Sequence, residues 1–168
     1  MSAYQELCEL LARARARARQ RRERLAPVFE RAGASIVTHL GIPDGAHEWC
    51  LLELASEEPP GRVALGDAMS SDEEGTWRVG LRIIVRAAGE PENTMPLVLE
   101  LCAREEEEGR AVLSFSDEEP RHHVHPDRPA DFDAVAIDAE RRLRAWMDDN
   151  LDRVLGAAGP GERYGQYL

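Results

Sequence analysis

The chain has 168 residues, the length of one ordinary domain, and each of its 21 basic residues is an arginine. The absence of lysine excludes chemistry that requires a lysine side chain, such as Schiff-base catalysis and phosphate binding by a Walker-A loop. A composition of 43% hydrophobic and 32% charged residues, with a net charge of −11, is that of a globular protein.

The N-terminal residues lack the basic and apolar regions of a secretory signal peptide, and no apolar run reaches the roughly 18 residues of a membrane span. The cysteines Cys8, Cys50 and Cys102 have neither the spacing of zinc ligands nor that of a Cys-x-x-Cys pair. We therefore expect a cytoplasmic protein with reduced thiols. The arginine-only composition, rich in alanine and glycine, favours a bacterial origin.

Apolar residues recur at helical spacing along the N-terminal region. At 100° per residue they form one narrow stripe, made of Leu7, Leu11, Ala14, Ala18, Leu25, Phe29 and Ala32. This spacing predicts a long helix over residues 1–33 that ends near Gly33. Pro27 is expected to kink or divide it, because proline lacks the backbone N–H of a helical residue.

From residue 46 to residue 126 the hydrophobic period changes to two, as in strands with one buried face. The alternation is clearest at residues 77–86, and further strands are predicted at 48–55, 97–104 and 110–116. Weaker edge strands are predicted at 62–68 and 122–125. The intervening turns are too short for crossover helices, which predicts an antiparallel meander of roughly four to six strands.

A second helix is predicted over residues 130–155, with Asp131 as its N-cap and Gly156 at its end. Residues 157–168 then read as a flexible tail. The sequence thus predicts one α+β domain over residues 1–156, in which the C-terminal helix packs on the sheet. The helix–sheet–helix order resembles the layout of small acidic secretion chaperones, although those proteins interrupt the sheet with a helix that this sequence does not predict.

An arginine run marks the N-terminal helix: Arg13, Arg15, Arg17, Arg19, Arg21, Arg22 and Arg24. Residues 1–34 carry eight arginines and four acids, net +4, and the remainder carries 13 arginines and 28 acids, net −15. Arginines beside an apolar stripe suit ion pairs between helices, which predicts a protein partner or a homodimer. The alternative is nucleic-acid binding, which the acidic remainder opposes because it repels phosphate.

The tail offers a second candidate surface. Its residues Tyr164, Tyr167 and Leu168 follow a Gly/Pro-rich linker and could form a tethered docking peptide, because aromatic anchors contribute strongly to small interfaces. The other interpretation is a frayed terminus or a strand laid on the protein's own sheet.

The segment 122–127 is the one candidate metal site. In a strand, His123 and His125 share a face, and with Asp127 they could bind a divalent metal, as in a metal-dependent enzyme or metal carrier. The alternative is an exposed polar edge before the second helix.

No complete catalytic set is present, since the chain lacks both a Gly-x-Ser-x-Gly elbow and a Gly-x-Gly-x-x-Gly loop. The favoured hypothesis is a non-enzymatic protein-binding, adaptor or chaperone-like module without a cofactor. It would dock through the arginine-flanked helix, the tail or both. The metal-dependent enzyme and the nucleic-acid binder are the alternatives.

Overall fold

The computed structural model describes residues 2–52, 63–87, 90–116 and 118–150, and the strand at 166–167. Its elements, in chain order, are α1 (Ala3–Leu40), β1 (His47–Cys50), α2 (Leu65–Ala68), β2 (Ser70–Ser71), β3 (Trp77–Ala87), β4 (Glu90–Glu105), β5 (Ala111–Phe115), β6 (His122–Val124), α3 (Asp133–Asp149) and β7 (Gln166–Tyr167). The predicted α+β fold is confirmed. No described helix is long and apolar enough to cross a bilayer.

The sheet has the order β1-β3-β4-β5-β6, with β2 beside β3 and β7 beside β4. Consecutive strands from β3 to β6 pair antiparallel, so the predicted meander is confirmed. Only β7 pairs in parallel with its neighbour among the described strands. The long hairpin of β3 and β4 forms the centre of the sheet.

Both long helices pack on one face of this sheet, which we call the inner face. Strand alternation directs Val79, Leu81 and Ile83 of β3 to this face, and their register partners Leu101, Leu99 and Leu97 of β4 lie beside them. The C-terminal half of α1 and the first turns of α3 cover these residues. The core's largest fully buried side chains, Phe29, Phe115 and Phe132, come from a helix, a strand and the turn before α3.

Polar contacts join the two helices at their ends. The Ser35 hydroxyl of α1 donates to the carbonyl of Phe132, at 3.2 Å. The imidazole of His39, in the last turn of α1, lies 2.7 Å from the carboxylate of Glu140 in α3. The second half of α1 is therefore held both by apolar packing and by side-chain hydrogen bonds.

The predicted end of α1 at Gly33 is wrong, because the helix continues to Leu40 and ends at Gly41, which has a left-handed φ of 62°. Gly33 is buried inside the helix, where it packs against Trp49. The indole ring of Trp49 occupies the space beside it, only 2.7 Å from the place where a β-carbon would lie. Pro27 does not divide the helix either, since the buried residues on both sides of it, Leu25 and Phe29, hold the turns to the core.

The predicted edge strand at 62–68 is also wrong, because its described part contains the short helix α2. Leu65 and Ala68, one helical turn apart, are both buried there. Of the strand predicted at 48–55, β1 ends at Cys50, and residues 53–55 lie outside the described residues. A short helix thus lies between β1 and β2 of the sheet, and period-two alternation concealed it.

The second long helix begins later than predicted. A 3-10 turn, Pro129–Phe132, precedes α3, and Phe132 rather than Asp131 occupies the N-cap position. The Asp131 carboxylate instead accepts the backbone N–H of His125, at 2.9 Å. The predicted end at Gly156 and most of the tail lie outside the described residues.

We predict that Gly33→Ala lowers the free energy of unfolding by about 1–2 kcal/mol, because the new methyl group must displace the packed Trp49 ring. Gly66→Ala in α2 is the matched control. Its β-carbon would meet no atom within 4 Å, so alanine's higher helix propensity should raise stability by up to about 1 kcal/mol. Urea denaturation measures both, and a Gly33→Ala variant as stable as Gly66→Ala would contradict the packing assignment.

Candidate functional site

The N-terminal half of α1 projects away from the domain. Residues 3–20 are exposed throughout, and burial in the core begins at Leu25, which is 2% exposed. We call residues 3–20 the projecting arm. At 1.5 Å per residue it is about 27 Å long. The described hydrogen bonds and ion pairs of the arm all lie within the helix or its cap.

The arm carries the same apolar stripe that builds the core. On α1 the buried residues Phe29, Ala32 and Ile36 lie on one face, and the spacing continues this face through Ala18, Ala14, Leu11 and Leu7. In the arm the large apolar side chains are in solvent: Tyr4 is 75% exposed, Leu7 65%, Leu10 59% and Leu11 52%. Exposed apolar surface of this kind makes the arm a candidate interaction surface.

Local sequence explains why the arm is helical. Ser2 forms a capping box with Gln5: its hydroxyl accepts the Gln5 backbone N–H at 3.3 Å, and its own N–H donates to the Gln5 side-chain oxygen at 2.9 Å. Residues 12–19 then alternate alanine and arginine, both strong helix formers. An isolated helix of this length is nevertheless only marginally stable in water, so a partner on the apolar stripe would stabilise it.

The structure divides the predicted arginine set into a base and an arm. At the base, Arg22 donates to the carbonyl of Gly66 at 3.4 Å, and Arg24 pairs with Glu105 at 2.6 Å. On the arm, Arg13 pairs with Glu9 at 3.0 Å, one turn away in the same helix. The remaining arm arginines make no described ion pair, and they are Arg15, Arg17 and Arg19.

The arm arginines flank the apolar stripe on both sides. Helical spacing places Arg13 and Arg17 on one flank, together with Glu6, and Arg15 and Arg19 on the other. Arginine stems can extend over an apolar contact while their guanidinium groups pair with acids at its rim. The arm therefore combines an apolar centre with charged edges, the arrangement of a helix–helix interface.

The C-terminal tail contributes one short element to the described structure. Gln166 and Tyr167 form β7, whose backbone pairs in parallel with Leu97 and Val98 of β4. The tail thus lies on the protein's own sheet at this point, which was the alternative interpretation. The other two residues of the predicted docking peptide, Tyr164 and Leu168, lie outside the described residues.

The histidines of segment 122–127 do not share one carboxylate: His122 lies near Asp138 and His123 near Glu106. His123, on the sheet face opposite the helices, lies 3.1 Å from Glu106. β6 ends at Val124, so His125 is not in the strand, and Asp127 beyond it is 86% exposed. Across the described ranges, no group of three or more His, Cys, Asp or Glu side chains is placed to hold a metal ion. Within the described ranges, no further ligand joins His123, His125 and Asp127.

Asp138 of α3 organises the other side of the same strand, and sequence analysis did not single it out. It is 3% exposed, lies 3.3 Å from the His122 imidazole, and accepts hydrogen bonds from Arg141 and Arg142. Burial alone would raise the pKa of the Asp138 carboxyl, but the hydrogen bonds from Arg141 and His122 and the nearby guanidinium charges lower it overall. The ionised carboxylate joins β6 to α3. In the sequence, the arginines three and four residues after Asp138 are the feature that could have indicated this role.

The outer face of the sheet, away from the helices, holds charged side chains that are partly or fully buried. Arg78 of β3 pairs with Asp72 at 3.1 Å and with Glu100 at 2.7 Å. Arg82 is only 4% exposed, and its Nη1 donates to Glu48 of β1 at 2.7 Å. The Nε and Nη2 groups of Arg82 are buried without a hydrogen-bond acceptor.

The two buried cysteines also lie on the outer face. Cys50 packs with Val98, and burial raises the pKa of its thiol, which therefore stays protonated at neutral pH. Cys102 lies in a pocket of about 210 Å³ between β4 and β5, whose other lining residues include Arg104, Ser114 and Arg121. This volume is below the roughly 300 Å³ at which small-molecule sites usually begin.

We predict that Glu48→Gln lowers the free energy of unfolding by about 2–4 kcal/mol, because it removes the one carboxylate that pairs with the buried Arg82 guanidinium among the described residues. Arg82→Met should cost less, since it removes the buried charge and keeps most of the side-chain volume. Arg86→Met, at an exposed position of the same strand, is the control and should change stability by less than about 0.5 kcal/mol.

Chemical denaturation of the three variants gives these free energies directly. A larger loss in Arg82→Met than in Glu48→Gln would contradict the assignment of Arg82 as a buried charge that depends on Glu48.

The chain was compared with family models, with curated proteins and with solved structures, and none of them matches it.

Proposed function

We propose that this protein is a protein-binding module that docks through its projecting arm. The observation that carries this proposal is one apolar face of α1, which is buried from Leu25 to Ile36 and exposed from Leu7 to Ala18, with Arg21 and Arg22 between the two parts. Water-exposed leucines at 52–65% exposure on a protruding helix favour association with another apolar surface.

The shape and chemistry of the arm suit a second α-helix. The apolar stripe is narrow and follows the helix axis, and alanines at positions 14 and 18 allow another backbone to approach closely. The arginine flanks then suit acidic side chains at the edges of the partner helix. This arrangement supports recognition of a protein more than recognition of nucleic acid, because a phosphate backbone offers no surface that would cover Leu7 and Leu11.

The remainder of the described structure supports binding rather than catalysis. Arg78 and Arg82 of the outer face are engaged in ion pairs, and the thiol of Cys50 is buried and protonated. The domain then acts as a rigid base that holds the arm in place, because the second half of α1 is part of its core.

We predict that a photo-crosslinking amino acid at Leu11, on the arm, forms covalent adducts with protein when the full chain is expressed in its native host. The same amino acid at Ile137 is the matched control, because Ile137 is 58% exposed but lies on α3. Gel shift and mass spectrometry identify the adducts.

Adducts at residue 11 but not at residue 137 are the expected result. Equal labelling at both positions, or none at residue 11, would contradict docking through the arm.

A further inference from the structure

We infer that the surface which covers the projecting arm is the arm of a second copy of this chain, paired antiparallel. This inference rests on the proposed function, since it names the occupant of the same surface. It follows from two independent properties of the arm, the order of large and small residues along the stripe and the order of charges along its flank.

The stripe is complementary to itself when it is reversed. Its large residues, Leu7 and Leu11, come first, and its small residues, Ala14 and Ala18, follow at the same helical spacing. In an antiparallel pair centred between residues 12 and 13, Leu7 of one chain faces Ala18 of the other, and Leu11 faces Ala14. Each large side chain then meets a small one, which allows close packing along the whole contact.

The charged residues beside the stripe are also complementary to themselves when the helix is reversed. In an antiparallel helix pair, each flank of one helix faces the corresponding flank of the other. Glu6 shares its flank with Arg13 and Arg17. In this register Glu6 is level with residue 19 of the other chain, and Arg17 of that chain lies about 3 Å away along the axis, within reach of two long side chains. The two-fold symmetry forms this ion pair twice. Glu6 and Arg17 make no described ion pair within the chain, so both are available for this contact.

A parallel pair lacks both advantages. It would set leucine against leucine and alanine against alanine, and opposite flanks would meet, so that Arg13 and Arg17 of one chain would lie beside Arg15 and Arg19 of the other. It would also bring together the two acidic domains, each with a net charge of −15 outside residues 1–34. Antiparallel pairing instead separates the two copies of Leu25, the residue at which burial in each domain begins, by about 38 Å.

The first test is the mass of the full-length protein in solution, measured by sedimentation equilibrium over a range of concentrations. We expect twice the 18.8 kDa chain mass. Leu11→Glu should weaken association at least about 100-fold, because symmetry removes two apolar contacts at once. Ile137→Glu, the same change at an exposed site off the arm, should leave association unchanged.

A charge exchange tests the register. Arg17→Glu should weaken association about 5- to 20-fold by placing two carboxylates together at each end of the contact. Glu6→Arg in the same chain should restore it, since the pair is then reversed. Failure of the double variant to recover any affinity would overturn the assigned contact between residues 6 and 17.

Mixed cysteine variants test the orientation in a background that carries Cys8→Ser. Under mild oxidation, Leu7→Cys mixed with Ala18→Cys should form a disulfide-linked species, and neither variant alone should do so. Crosslinking of each variant with itself, and not in the mixture, would show a parallel pair and overturn the inference.

The two proposals fail in different ways. A monomer at all concentrations, with arm crosslinks to a different protein at residue 11, would overturn self-pairing and leave the arm as a protein-binding element. A monomer without arm crosslinks would overturn both.

Discussion

One face of α1, apolar in both halves of the helix, is the constraint on which the structure depends. Its second half, from Leu25 to Ile36, covers the inner face of the sheet and builds the core with α3. Its first half has the same spacing but no sheet beneath it. Because both halves belong to one helix, the packing of the second half in the core fixes the direction in which the arm projects. The apolar residues of the arm lie on the same side of the helix as those in the core.

The sheet contributes a second constraint, on its outer face. Arg78 and Arg82 alternate with the core residues of β3, and their carboxylate partners come from neighbouring elements, Asp72 before β3, Glu100 in β4 and Glu48 in β1. Pairs of this kind contribute little net stability when they are buried, but they penalise strand registers that would leave a charge unpaired. A shifted register of β1, β3 and β4 would separate these pairs.

Regular periodicity explains which parts of the fold were predictable. Three features depend only on neighbours in sequence: the stripe on α1, the alternation of β3 and the short turns of the meander. These features predicted the two long helices, the antiparallel sheet and their order along the chain. The position of Gly33 inside α1 depends on its contact with Trp49, and the helix α2 depends on burial of Leu65 and Ala68. Such tertiary contacts leave no periodic signal. For the candidate site, the sequence indicated the arginine flanks and the stripe. Only the structure shows that the stripe is exposed before residue 20 and buried from Leu25 onward.

Hydrogen exchange of the arm, measured at several protein concentrations, tests the central claim most directly. An unpaired projecting helix is marginally stable, so its amides exchange rapidly, whereas pairing protects them. We predict that protection of residues 6–20 rises with protein concentration, while residues 28–38 stay protected at every concentration. An arm whose exchange does not depend on concentration, under conditions where residues 28–38 are fully protected, would contradict the account.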